Sequence, residues 1–138
     1  MKIETFTIEN DIPCFCIKAS SFPVGVLAAH QQLHSLFPFS SSRRYFGISR
    51  PEGNGQIAYW AAAEQLSNDE TANIKIEHFI IPKGQYAGKD IANFRKDIPA
   101  IGNTFQELLT TAKYDPNGFC LEWYYNSDDV RCMIKLAE

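Results

Sequence analysis

The sequence has no excess of basic residues: 13 Lys plus Arg stand against 16 Asp plus Glu, for a formal charge of -3. Without a cationic surplus there is little to neutralise a phosphate backbone, so direct nucleic-acid binding is not expected. Apolar runs are short. "VGVLAA" falls far below the ~20 residues of a membrane span, and "MKIETFTIEN" lacks the apolar centre of a signal peptide. The expectation is a cytoplasmic protein with no membrane association. "GNG" and "GQYAG" have neither the spacing nor the strand-to-helix setting of a phosphate loop, and there is no nucleophile elbow. The four cysteines are Cys14, Cys16, Cys120 and Cys132. With no export signal they read as reduced, small buried hydrophobes, and Cys14 and Cys16 stand too close together for a usual zinc pair. His30 and His34 share a helical face in "HQQLH", but Gln31 replaces the glutamate that a metalloprotease motif needs. No metal and no cofactor are expected.

What the chain does have is apolar residues, 45% of its 138, enough for one sizeable core and too few residues for two ordinary domains. The reading is a single domain over 1–138. "IPCFCIKASSF" alternates as a strand, and Pro23 opens a helix over "PVGVLAAHQQLHSLF", where Val26, Leu27, Leu33, Leu36 and Phe37 recur at helical spacing. "RRYFGISRP" and "QIAYWAAAEQL" follow as strands joined through Asn54-Gly55, a hairpin signal. "KIEHFIIPKGQYAGKDI" reads as one strand bent at Pro82 and Gly84. A second Ile-Pro then leads into "IPAIGNTFQELLTTAKY", a helix with Ile101, Phe105, Leu108 and Leu109 on one face. "FCLEWYYN" and "VRCMIKLAE" close the chain as strands. The same order of elements occurs twice, which predicts an α+β fold made of a duplicated strand-helix-strand-strand unit, with pseudo-repeats over about 1–70 and 71–138.

Glu122 is the unusual residue. It stands in "FCLEWYYN" among apolar and aromatic neighbours, and strand alternation puts Cys120, Glu122 and Tyr124 on one face and Leu121, Trp123 and Tyr125 on the other. A buried carboxylate without a partner costs several kcal/mol, so something must neutralise it. Arg131, across the last hairpin, is one candidate partner; a bound cation is another, and an exposed edge-strand role would need neither.

The motifs "YFGIS", "YWAAAE", "IPKGQYAG", "FCLEWYYN" and "VRCMIKL", in that order along essentially the whole chain, resemble the effector-binding domain of AraC-type transcription activators and gyrase-inhibitor-like proteins. The resemblance implies two repeats about a pseudo-two-fold axis and a central groove between the helices that takes small, often cationic, amphipathic molecules. It implies Glu122 as the acidic pocket residue and Tyr124 as the tyrosine that follows it, with Phe46, Trp60 and Tyr86 as aromatic walls. Trp60 is expected at the groove in preference to Tyr59, which faces the other way on a regular strand. Trp123 and Tyr125 are expected under the helices, Glu64 at the groove mouth or solvated, and His34 and Phe37 as candidates to lean over it. Aromatic faces and one carboxylate suit a hydrophobic cation. The expectation is a noncatalytic binder that senses or sequesters such a molecule, with two alternatives: a hydrolase using Glu122 with Tyr86 or Tyr124, or a gyrase-inhibitor-like protein that binds a regulatory or enzyme partner.

Overall fold

The computed structural model describes residues 2–138. Eight strands, β1 (Glu4–Ile8), β2 (Ile12–Lys18), β3 (Tyr45–Pro51), β4 (Ile57–Glu64), β5 (Glu77–Ile81), β6 (Gly84–Ile91), β7 (Cys120–Trp123) and β8 (Val130–Lys135), form one antiparallel sheet. Their order across the sheet is β1-β6-β8-β7-β3-β4-β2-β5, and the sheet is curled. Two helices complete the fold: α1 (Val26–Leu36) packs on β2 and β4, and α2 (Pro99–Thr111) on β6 and β8. The two middle strands, β7 and β3, lie between the strands that carry helices. Glu122 stands on this middle pair of strands, between the two helices.

The alternation of each strand divides the apolar residues into three clusters. On the helix side of the sheet, Ala29 and Leu33 of α1 pack on Phe15, Tyr45, Ala61 and Ala63. Phe105 and Leu108 of α2 pack on Ala87, Val130, Cys132 and Ile134. On the concave side, Cys14, Cys16, Phe46, Ile48, Tyr86 and Leu121 form the third cluster. Three cysteines are buried and Cys120 is half-buried, all as free thiols, consistent with their use as small hydrophobes.

Three elements differ from the sequence reading. Pro23 lies in the turn before α1 and does not open it; the helix begins at Val26. Leu27 and Leu36 are exposed, and the inward seam runs through Ala29 and Leu33, with His30 and His34 half-buried beside them. "KIEHFIIPKGQYAGKDI" is two strands: Pro82 cannot continue a ladder, so β5 stays at one edge on β2 while β6 pairs with β1 and β8 near the other edge. β1, which the sequence reading missed, pairs with β6 from Glu4 to Ile8. The β3–β4 hairpin is as expected in kind, with Gly53 and Gly55 both at positive φ (82° and 83°) in the loop, a conformation that glycine adopts without penalty.

Candidate functional site

Register builds the site. β3 and β7 pair so that Gly47 lies opposite Glu122 and Phe46 opposite Trp123, and β4 places Ala61 beside Gly47 on the other flank. Residues opposite each other share a face. Glu122 therefore points to the helix side, where Tyr59, two residues from Ala61, leans over Gly47. A Cβ at position 47 would lie 2.7 Å from Glu122 Oε1 and would overlap the Tyr59 hydroxyl. The missing side chain of Gly47 is the space in which the two polar groups meet.

Glu122 is buried, with 6% exposure. Its Oε1 accepts from Tyr59 Oη at 3.1 Å and from the hydroxyl of Tyr124. Oε2 accepts from no group among the described residues, and no Lys, Arg or His there forms an ion pair with this carboxylate. Burial raises the Glu122 pKa above its usual 4.5, and the two phenol hydrogen bonds only partly oppose that. The phenols respond in the same sense: burial, and next the neighbouring carboxylate, push Tyr59 and Tyr124 far above 10. Both remain hydroxyl donors across the working pH range.

The chain of hydrogen bonds continues into α1. His30 Nε2 lies 2.8 Å from Tyr59 Oη. Because Tyr59 donates its proton to Glu122, the geometry assigns His30 the Nε2–H tautomer, donating to the phenol oxygen. Burial, with a smaller contribution from His34, lowers the His30 pKa from 6.5 to about 4. The ring is neutral at pH 7. A depressed histidine pKa means that the folded state resists protonation, so this contribution to stability is complete above pH 6.5 and is lost as pH falls toward about 4. His30→Gln keeps an N–H donor but does not titrate. The wild type should lose melting temperature between pH 7 and pH 4 relative to this variant, by an amount equivalent to at most about 3 kcal/mol; equal pH profiles from a differential scanning series would contradict the assignment.

Aromatic rings enclose the carboxyl. Phe22 stacks on Tyr59 at 5.9 Å between centroids, His30 meets Tyr59 and Tyr124 edge-on at 5.7 and 5.5 Å, and Phe94 leans on Tyr124 at 5.4 Å. Phe22 is 41% exposed, so it is the roof element with the least packing to lose on moving. A cavity of about 460 Å³ adjoins it, between residues 18–22 and the β3–β4 hairpin. Among the described residues no group of three His, Cys, Asp or Glu side chains is placed to hold a metal ion.

Of the residues selected from sequence, the structure brings Glu122 and Tyr124 together and separates the other three from them. Phe46 faces the concave side with Trp123, because the register matches Gly47, and not Phe46, to Glu122. A one-residue offset in a strand reverses the face. Tyr86 is buried in the concave core, its hydroxyl donating to the Pro82 carbonyl at 2.7 Å. Trp60 packs on that side as well, donating Nε1–H to Glu77 and lying beneath Lys18; Tyr59 takes the place expected of it. Trp123 is on the concave side and not under the helices. Arg131 pairs with Asp90, and Glu64 with Arg44, so neither reaches the Glu122 site. His34 packs on Tyr45 and Phe39, and Phe37 on Phe15. Tyr59, His30 and Gly47 escaped the sequence reading. The parity of "AYWAAAE" was visible, but which parity faces the helices was not.

No protein-family profile matches the sequence, and no curated protein matches it. Solved structures do share the fold. SAV2435, determined bound to tetraphenylphosphonium, superposes with a TM-score of 0.69 at 12% identity over 99% of this chain and 94% of its own. The EcmrR C-terminal domain gives 0.65 at 8% identity, with 99% and 98% covered. A hydrolase from Listeria innocua gives 0.60 at 9% identity, with 99% and 92% covered. At these identities the likeness establishes the fold and nothing about the chemistry of the site.

Proposed function

We propose that this protein binds small amphipathic cations at the face between its two helices, with Glu122 as the anionic anchor and Tyr59, Tyr124, His30 and Phe22 as the surrounding wall. The observation that carries this reading is the buried Glu122 carboxyl, ringed by aromatics, with one oxygen unengaged and no protein cation beside it among the described residues. A hydrophobic cation supplies both the missing charge and a surface for the rings, each aromatic face contributing about 0.5–2 kcal/mol. The fold of a tetraphenylphosphonium-bound protein is in keeping with this. Resemblance to AraC-type and gyrase-inhibitor-like effector domains adds a two-fold relation between the halves β2-α1-β3-β4 and β6-α2-β7-β8, and a role in sensing or sequestering the ligand.

Phe22, exposed and stacked on Tyr59, is the wall element freest to move aside as a ligand enters. Titration with tetraphenylphosphonium, read by tyrosine and tryptophan fluorescence, should saturate, while the neutral triphenylphosphine oxide should bind at least about tenfold more weakly. Equal affinity for the two compounds, or binding of neither, would count against a charge-selective site.

One feature supports a second reading as a hydrolase. A carboxyl whose pKa is raised by burial, held by two phenols and connected to a neutral imidazole, is a chemically competent acid–base constellation. Product formation on prolonged incubation with reactive small electrophiles separates it from simple binding, since a binder returns its ligand unchanged.

A further inference from the structure

The concave face of the sheet, opposite Glu122, carries a second cavity of about 370 Å³. We propose that it is a separate binding site for small aromatic monocarboxylates, with a charge preference opposite to that of the helix face. Its volume lies in the range of small-molecule sites. Phe46 and Trp123, with ring centroids 6.4 Å apart, form the floor with Met133 and Phe6. This surface suits a flat apolar body.

Two guanidinium groups line the same cavity, and each is fixed in advance. Arg131 donates from Nε and Nη2 to the two oxygens of Asp90 at 2.7 and 3.1 Å, and its guanidinium lies 3.9 Å over the Phe6 ring. Arg44 donates from Nε and Nη2 to Glu64 at 3.1 and 2.7 Å. Both side chains therefore present a planar fork whose Nη1 group bonds to nothing among the described residues. Guanidinium donors held in place by carboxylates have already lost their rotamer freedom, so a ligand carboxylate gains charge-assisted hydrogen bonds at small entropic cost. The same pairing limits the ligand's charge. Asp90, Glu64 and the exposed Glu9 outnumber the two arginines around the cavity, so recognition of the carboxylate rests on the free Nη1 donors at short range and not on net charge, which disfavours a dianion.

The test is a titration of the wild type with naphthalene-2-carboxylate and with 2-naphthamide, followed by the indole N–H resonances of Trp123 and Trp60. The carboxylate should bind saturably and shift Trp123, with the amide about tenfold weaker. Arg44→Gln removes one fork, and Asn10→Asp adds a negative charge beside the cavity without touching the core. Each should weaken the carboxylate about tenfold. The proposal is overturned if the carboxylate does not saturate, if the amide binds as well, if either substitution leaves affinity unchanged, or if the Trp123 resonance does not shift. Glu122→Gln should leave this binding intact, which keeps the result independent of the cation site.

Discussion

Glu122→Gln is expected to weaken tetraphenylphosphonium binding by about a hundredfold at pH 8. At an effective dielectric of ~20 and a separation of ~4–5 Å, a carboxylate attracts a monovalent cation by about 3–4 kcal/mol. Part of that is offset by the cost of ionising a buried group, which leaves roughly the 2.7 kcal/mol that a hundredfold requires. The pH dependence is the sharper signature. Because burial raises the Glu122 pKa above 4.5, the apo carboxyl must lose its proton before it can anchor a cation. Wild-type affinity should then rise about tenfold per pH unit up to that pKa and level off above it, while the variant shows no slope. Isothermal titration in two buffers of different ionisation enthalpy would show the released proton directly. A flat wild-type profile would mean that Glu122 is not the anchor.

The same shift fixes the sign of a stability effect. A carboxyl whose folded pKa lies above its unfolded value stabilises the fold most below the unfolded pKa, and that contribution is lost as pH rises through the folded pKa. Glu122→Gln should therefore gain melting temperature over wild type at pH 8 and not at pH 4. His30 acts in the opposite direction, losing its contribution as pH falls from 6.5 toward about 4. The site is under strain at both ends of the pH range, as expected where neutral forms of both groups are buried together.

Gly47→Ala is expected to destabilise the protein by about 3 kcal/mol and to abolish cation binding. Gly47 lies in a strand and is absent from the glycines at positive φ, so its backbone accepts alanine, and the substitution on its own would be mildly favourable. The cost comes entirely from the side chains that occupy its empty Cβ position. The new methyl would lie 2.7 Å from Glu122 Oε1 and overlap the Tyr59 hydroxyl. Overpacking of this kind costs about 1–3 kcal/mol, and displacing Tyr59 deprives a buried carboxyl of a donor at about 1–3 kcal/mol more. The double variant Gly47→Ala/Tyr59→Phe removes the overlapping oxygen. It should recover part of the stability lost by Gly47→Ala alone, although Tyr59→Phe by itself is destabilising. Urea unfolding of the four proteins closes the cycle, and strict additivity would show that the Gly47 space does not exist to hold the phenol.

Much of this was legible in the residues. Periodicity located both helices and most strands, and Glu122 announced itself as a carboxylate in an apolar run. Alternation alone put Tyr124 on its face. What alternation cannot say is which parity of one strand meets which parity of the next, and that decided the rest of the site. Pairing of Gly47, and not Phe46, with Glu122 turned Phe46 and Trp60 to the concave side and brought Tyr59 to the carboxyl. Pro82 likewise marked a break, but only the sheet showed that the strands on its two sides belong to opposite halves. Local chemistry is written along the chain, whereas register and the proximity of residues 30, 59 and 122 arise from long-range pairing, which depends on how whole faces bury together.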